Sequence, residues 1–578
     1  MYMFILLVLL PLFLAIGLWW IPFRFLQLTI LLFSFVLSFC SILLYISPET
    51  FSFSLGFFLT ILIIVVDIVL ILYFLKEGLA FKNYKVWSLA LAQLLLFGLA
   101  EFLIASNVNA DFIVDKLSIF MFLVINIVGS LIVVYALWYI NKEPISESKK
   151  RFFLMYLILF LAVMNLIVSA NSLMIFFLLF ELTTLSSYLL IGFRKDELST
   201  HNALKALWMN QIGGLFILIA VLLSSVPYFD GLTNSGNLLI VVSLLAMSGL
   251  VKGAQIPFDG WLLGAMVAPS PVSAILHSAT MVKLAPFIIL KLAPAYENTI
   301  VGVFIMLFGS AVFILAGLYG LSRDKFKEIL GYSTISLLGL MIAMATVVGE
   351  EHKNILYVLI FFHAVSKALL FLMAGIVEKN YHFKNISEMN GLLFKAPLSA
   401  SMIIFGFATI TLPPFGLFFG KLFSIELVSQ MLKDNFLYIF LLLSLCVGSV
   451  VLILLYFKVA SSIFTKNTDI EEYNGENIFV VEMISPYLFT IMLVCSGFFL
   501  FDISLYYVII SILLIVFVPV WLKFDPFRNV DRVKEYHCGE QGHFNVSQWS
   551  FSFSKETERK VSFIGAAAFA SIALGGLL

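Results

Sequence analysis

Apolar runs about twenty residues long follow one another along nearly the whole chain, separated by short polar stretches. Runs long enough to span a bilayer as helices fall near 2–22, 26–46, 53–75, 86–105, 117–140, 152–169, 172–192 and 205–226. They continue near 237–266, 270–295, 299–321, 329–348, 354–378, 396–432, 436–464, 484–501, 504–522 and 559–578, roughly eighteen in all at about 20 residues per crossing. Two are overlong, 237–266 and 396–432, and in each a proline stands near a lysine: Lys252 and Pro257 in the first, Pro413, Pro414 and Lys421 in the second. Proline removes a helix hydrogen bond and frees a carbonyl one turn back, so both runs are expected to break there. Loop charge decides between a broken crossing and a hairpin. Arg24, then Lys76, Lys82 and Lys85, then Lys142, Lys149, Lys150 and Arg151, then Arg194 and Lys195 occupy alternate loops. The series continues with Arg323, Lys325 and Lys327 and with Lys379, Lys384 and Lys395, and intervening loops such as 47–52, 227–236 and 296–299 carry acids or no charge. The N-terminus is expected outside and the basic loops inside. Single broken crossings keep Lys523, Arg528, Arg532 and Lys534 of the loop 523–558 on the cytoplasmic side with them.

Composition agrees. Of 578 residues, 62% are hydrophobic and 12% charged, with a mean hydropathy of +1.08, outside the range of soluble domains. Formal net charge is zero, so nothing points to nucleic acid; the expected surroundings are a cell membrane and its lipid. Cys40, Cys446, Cys495 and Cys538 are scattered without a C-x-x-C pair, and no glycine-rich nucleotide loop occurs, so no metal cluster or other cofactor is expected in this chain. The first apolar run lacks a basic leader and a small-residue cleavage site and reads as a retained helix. No loop exceeds about 36 residues, too few for a folded catalytic domain.

The remaining chemistry is charge inside the membrane. Glu181, Thr184 and Tyr188 share one helical stripe. Lys252 stands beside the first break; His277 follows on the next run, expected to share a face with Ser273 and Thr280. His363 and Lys367 are one turn apart and read as a unit, and Lys421 follows the second break. Structural ion pairs tying helices together are the plain alternative. Each buried charge costs about 2.5–3.5 kcal/mol even on lenient scales, so a series beside two helix breaks points to an ion path. Lys283 reads equally as a helix-end anchor or a relay lysine. Lys205 and His201 read as solvated, with Lys205 alternatively gating intake. Asp67 reads as a local hydrogen-bonding group or an accessory path, Glu101 as wetted, and Glu426 as a weak candidate.

These stretches together, Phe180–Phe193, Lys252–Lys283, His363–Gly375 and Leu412–Lys421, resemble the antiporter-like proton-translocating subunits of respiratory complex I. The same family serves multisubunit cation/proton antiporters and energy-converting [NiFe] hydrogenases, and the resemblance covers roughly residues 110–460. It implies an all-α polytopic membrane protein of about 16–18 transmembrane helices with two inverted repeats, near 152–295 and 299–464, each holding one broken helix. The organisation implied is N-terminal helices over 1–110, an antiporter-like core over 111–464, and C-terminal helices over 465–578 with a final transmembrane helix. It implies an ion path for H⁺ or Na⁺ through Glu181, Lys252, His277, Lys367 and Lys421, with Asp196 at the start of a cytoplasmic loop. The family's acid after the last lysine is replaced by Leu422, and Tyr332-Ser333-Thr334-Ile335-Ser336 continues into Leu337 where a polar residue is usual. The tail Tyr536-His537-Cys538-Gly539-Glu540 resembles that of the large antiporter-like subunit of membrane-bound hydrogenases. That likeness implies a non-redox, ion-translocating subunit of a hydrogenase complex, whose iron–sulfur clusters and NiFe centre sit in partner subunits. The corresponding complex I subunit, or an antiporter subunit without redox partners, is the alternative.

Overall fold

The computed structural model describes residues 2–103, 110–224, 226–234, 239–347, 349–413, 415–433, 435–464, 480–501 and 552–577. Helices dominate them. The N-terminal elements are α1 (Tyr2–Gly17), α2 (Phe23–Ile46), a short strand β1 (Phe51–Phe53), α3 (Phe57–Ala80) and α4 (Tyr84–Leu103), followed by β2 (Phe112–Val114). β1 and β2 pair antiparallel with Phe51 opposite Val114, a small ribbon that the run pattern did not announce. Next come α5 (Lys116–Asn141), α6 (Glu147–Ile167), α7 (Leu173–Ile191), α8 (Glu197–Leu223), α9 (Phe229–Asn234), α10 (Leu239–Lys252), α11 (Asp259–Gly264), α12 (Ser270–Ala274) and α13 (Leu284–Tyr296). The chain continues as α14 (Ile300–Leu321), α15 (Phe326–Ala345), α16 (Glu350–Tyr381), α17 (Leu392–Lys395), α18 (Pro397–Thr411), α19 (Gly416–Met431), α20 (Tyr438–Phe464), α21 (Val480–Phe501) and α22 (Lys555–Leu577). Among the described residues fourteen helices or helix pairs are long and apolar enough to cross a membrane, with shorter apolar helices at Tyr2–Gly17, Leu239–Lys252 and Glu482–Ser496. The run expected at 504–522 and the loop 523–558, save its last residues from 552, lie outside the described residues.

The core follows from which helices lack polar outer faces. Lys116–Asn141 is buried almost throughout, as are 270–296 and Phe326–Ala345, so α5, α12–α13 and α15 form the interior together with α16. α1–α4 and α20 instead expose stripes of large apolar side chains such as Phe13, Phe35, Phe58, Leu95 and Phe457, the lipid-facing complement of a bundle whose backbone polar groups are satisfied within each helix.

Loop contacts sort the two faces of the bundle. On one, Ala170 bridges Phe112 and Ser172 bridges Tyr228, and the Leu55 N–H donates to Asp111. On the other, Arg194 and Lys379 both reach Glu143, Lys142 reaches Glu482, and Lys325 bridges Asn385. The basic loops of the sequence therefore gather on one face, as the alternation requires. Both overlong runs cross once: α18 starts at the basic face after Lys395 and α19 ends opposite, since α20 follows it and only then returns to Ile386 through Ser462, while α10 follows α9 of the opposite face and α11 ends at Gly264 against Asn202, near Arg194.

Candidate functional site

Where α10 stops, Gly253 N–H still bonds Gly249 O (2.8 Å) and Ala254 N–H bonds Val251 O (3.0 Å). Ala254 then takes a left-handed φ of 52°, and the Ile256–Pro257 peptide is cis. The freed carbonyls find side chains: Trp261 Nε1 donates to Val251 O (2.9 Å) and Gln255 Nε2 to Gly253 O (2.9 Å). A broken end of this kind, buried in protein, is how irregular backbone survives at membrane depth. Lys252 is the last residue of α10, and the carbonyl-rich helix end favours its positive charge.

Lys252 is fully buried and spends its donors on α7. Nζ donates to Thr184 Oγ1 (2.7 Å), Thr183 Oγ1 (2.9 Å) and Phe180 O (3.1 Å), and it lies 4.0 Å from the Phe180 ring centroid. Glu181, expected as its direct partner, forms no ion pair with it among the described residues. Glu181 Oε1 accepts instead from Gln93 Nε2 (2.9 Å), and its Oε2 is buried without a partner. Two threonine hydroxyls thus stand where the sequence suggested a salt bridge.

The second feature was not anticipated. His277 lies in a π-turn, Ile275–Ala279, between α12 and a 3₁₀ turn at Met281–Lys283, and Thr280 has φ −124° and ψ −105°. The expected common face of Ser273, His277 and Thr280 is therefore interrupted; Thr280 Oγ1 turns back to Ile275 O (2.6 Å). Pro286 is the signal that reading over 270–295 passed by, since it sits in the first turn of α13, where proline is tolerated. The His277 ring packs on Phe371, centroids 4.7 Å apart.

Lys283 ends this turn, directly before α13. It is fully buried and its Nζ contacts His363 Nδ1. His363 and Lys367, one turn apart, spend their hydrogen bonds on other elements: His363 meets Lys283, whereas Lys367 Nζ reaches Ser333 Oγ and Leu330 O. Ser333 belongs to the element expected to be short of polarity, and its hydroxyl is what receives the lysine. His277, Lys283, His363 and Lys367 lie within electrostatic reach of one another around His363. A proton on one raises the cost of charging the next.

Lys421 sits one turn into α19, 3% exposed, with no ion pair among the described residues. Leu422 and Glu426 turn outward. At the basic face, Asp196 caps α8, accepting from Ser199 N–H at 2.7 Å; that bond holds its carboxyl below the usual carboxylate range. Asp196 borders a cavity of about 750 Å³ with Arg194, Lys327, Glu378, Leu263 and Met266. Lys327 and Glu378 are paired there at 2.5 Å. Leu263 and Met266 close over Gly331, beyond which lies His277, so the cavity stops one layer short of the histidine. Lys205 is half-buried rather than solvated, its ammonium against Gly260 of α11 and acting on Asp259. Asp259, which faces Lys205 at the start of α11, went unread in the sequence although it is an acid beside a break in an overlong apolar run.

Residues 170–447 match the family model described as "NADH:quinone oxidoreductase/Mrp antiporter, TM", and residues 103–153 match "NADH-Ubiquinone oxidoreductase (complex I), chain 5 N-terminus". The Na(+)/H(+) antiporter subunit A1 of Staphylococcus aureus strain bovine RF122 / ET3-1 is 29% identical over 430 residues, covering 68% of this chain and 53% of that protein. The same subunit from strain MRSA252 matches to the same extent. The chain thus spans about half the length of the curated relatives it matches. In fold it is similar to a chain of the Mrp complex from Dietzia sp. DQ12-45-1b, with a TM-score of 0.59 at 17% identity over 79% of this chain and 97% of that one. A chain of the membrane-bound sulfane sulfur reductase, an archaeal respiratory membrane complex, gives 0.60 at 17% identity over 80% and 98%.

Proposed function

We propose, starting from a chain that belongs to the family of complex I-like, antiporter-type membrane subunits, that its buried charges carry H⁺, or H⁺ in exchange for Na⁺, across a cell membrane as one subunit of a larger complex. The observation that supports this most is the buried series itself: Glu181, Lys252, His277, Lys283, His363 and Lys367 are each fully buried, and three of the cations touch hydroxyls or an imidazole rather than a carboxylate. Ion pairs kept only for stability would be matched with acids. Cations held by neutral, reorientable groups keep a proton that is transferable.

The roles follow from the contacts. Glu181 and Lys252 exchange a proton through the Thr184 hydroxyl between them. The His277–Lys283–His363–Lys367 cluster receives it at the centre, and Lys421 carries it on. Asp196 stays ionised at the mouth of the basic-face cavity and Lys205 with Asp259 flanks the first break, both placed to gather protons. No hydrogen bond joins Lys252 to His277 or Lys367 to Lys421 among the described residues, so transfer across those gaps runs through water or side-chain motion. The chain's own residues supply no redox centre in this reading. Clusters and a NiFe site would belong to partners if the complex is a hydrogenase, a second reading favoured by the Tyr536-His537-Cys538-Gly539-Glu540 motif, which lies outside the described residues. The antiporter reading is favoured by the subunit A1 relatives.

The test uses sealed inverted vesicles holding the whole complex. Lys252→Ala and Glu181→Gln should each abolish ΔpH formation or its dissipation by added NaCl while the complex remains assembled. Wild-type rates in both variants would overturn the relay. Dissipation by NaCl without any electron donor would select the antiporter reading; ΔpH formed only on hydrogen or ferredoxin turnover, with hydrogenase subunits co-purifying, would select the other.

A further inference from the structure

The relay begins at Glu181, yet nothing in it says how protons reach that residue. α3 and α4 lie directly against α7 and α8 and carry polar groups on the faces they bury. Asp67, mid-way along α3, is 1% exposed, and its Oδ1 has no hydrogen-bond partner. It stands within electrostatic reach of Glu181, whose Oε2 is likewise buried and unpartnered. α4 supplies the group that holds Glu181: Gln93, fully buried, donates to Glu181 Oε1 (2.9 Å) and to the Gln211 backbone carbonyl (3.1 Å) and accepts from Gln211 Nε2 (3.4 Å). Gly214 of α8 leaves the room these groups occupy, since a Cβ there would collide with Glu181 and with Gln93.

Ten residues on, about 15 Å along the same helix, α3 presents Glu77. Its Oε2 accepts from Tyr188 Oη at 2.5 Å, so the far end of the Glu181–Thr184–Tyr188 stripe of α7 is tied to α3. Both groups line a cavity of about 680 Å³ at the basic face, with Tyr73, Tyr156, Lys149 and Lys195 around them. α3 and α7 run in the same direction from this shared mouth: Glu181 lies seven residues, about 10 Å, inward of Tyr188, and Asp67 ten residues, about 15 Å, inward of Glu77, so Asp67 stands roughly one helical turn beyond Glu181. A carboxylate and a phenol meet at a wet mouth, and a second carboxyl faces the first relay acid ten residues inward. An isolated acidic pair would be weak ground. Here two fully buried carboxyl oxygens without partners lie within electrostatic reach of one another, and a cavity ends on the same helix pair.

We propose that α3 builds an intake branch for the relay: Glu77 with Tyr188 takes a proton from water in the cavity, and Asp67, buried beside α7, delivers it to Glu181, the first relay carboxylate. The proton is the only species transferred: the Tyr188 hydroxyl, which donates to Glu77 Oε2, holds that carboxylate at the cavity, Glu77 releases its proton to water, water carries it along α3 to the Asp67 carboxylate, and no electron moves. Gln93 is a positioning residue, holding Glu181 Oε1 so that Oε2 faces the branch.

The proposal rests on Glu181 acting in the relay, and the experiment separates the two. In sealed vesicles with the intact complex, initial ion-translocation rates are measured from pH 6 to pH 9 for Asp67→Asn, Glu77→Gln, Tyr188→Phe, Asp67→Glu and Glu181→Gln. Asp67→Asn and Glu77→Gln should each lower the rate about tenfold or more, the pair together should be no slower than the slower single variant, and Asp67→Glu should restore the rate. Glu181→Gln inactive with Asp67→Asn and Glu77→Gln both at wild-type rate would overturn the branch and leave the relay standing. Glu181→Gln at wild-type rate would overturn the relay itself. Equal losses in Asp67→Asn and Asp67→Glu would overturn the branch in favour of packing.

Discussion

Single residues decide whether these buried charges are fixed or mobile. Lys252 is satisfied by Thr183, Thr184 and a carbonyl; both hydroxyls donate to Phe180 O, and only that of Thr184, which also neighbours Glu181, can turn to donate toward the acid while it accepts from the lysine. Thr184→Val keeps the shape and removes that function. It should slow translocation strongly in the vesicle assay, whereas Thr184→Ser should be near wild type; equal behaviour of the two would mean the hydroxyl only fills space. Asp196 makes the opposite point. Ser199 N–H holds its carboxyl below the usual range, so the cap is at full strength at neutral pH and weakens only as pH falls through that lowered value. It cannot be a group that loads and unloads protons near neutrality; it is a standing negative charge at the cavity mouth. Asn caps a helix as well as Asp does. Asp196→Asn should therefore leave folding unchanged and reduce the translocation rate chiefly at low ionic strength, where an unscreened charge gathers cations best. A rate independent of salt in both proteins would remove the charge from the mechanism.

At the scale of elements, the breaks were legible where proline announced them and illegible where it only hinted. Pro257 and Pro413 stand inside runs too long for one helix, and length plus loop charge was enough to place a broken crossing at each. The turn around His277 has no such length anomaly: Pro286 lies six residues after Thr280, in a position any helix start accepts, and the π-turn is imposed by packing against α16. Pair contacts were illegible for a related reason. Spacing puts His363 and Lys367 on one face, but which partner each meets depends on the turn before α13 and on α15, far away in sequence. Glu77 and Gln93 carried no signal at all, being single polar residues whose meaning is a neighbour on another helix, and Ser333 showed only as part of a family element, not as the partner of Lys367. One element closes over the first break: α22 lays Gly565 against Ile256, where a Cβ would come within 2.8 Å of Ile256 Cγ2. Phe569 packs there on Phe258 and Phe216, and Glu558 pairs with Arg323 at 2.6 Å. Ile256 is 3% exposed and has nowhere to retreat. Gly565→Leu should overpack this contact at a cost of about 1–3 kcal/mol, lowering both the thermal midpoint in detergent and the translocation rate. Phe563→Leu, on the exposed side of the same helix, should do neither. If Gly565→Leu melts and pumps as wild type, α22 does not bear on the break.

For the whole molecule the open quantity is direction, and the two faces supply it. Both cavities, the one at Glu77 and the one at Asp196, are lined from the face that carries Lys149, Lys195, Arg194, Lys325 and Lys384. The opposite face gathers Asp111 and Asp230 around Asn171, and below them Lys291 lies under the rings of Phe229 and Phe287. Basic loops stay in the cytoplasm because translocating them is unfavourable, so both cavities should fill from the cytoplasm and the acidic face should be where protons leave. Two exposed loop positions report this. Ser146 stands before α6 on the basic face and Glu297 after α13 on the other, both exposed. In a variant with Cys40, Cys446, Cys495 and Cys538 replaced by alanine, a membrane-impermeant maleimide added to intact cells should label Glu297→Cys and spare Ser146→Cys. Inverted vesicles should show the reverse. The opposite pattern would turn the molecule over in the membrane. Both cavities would then take protons from outside, and the branch through α3 and the Asp196 charge would serve influx rather than export.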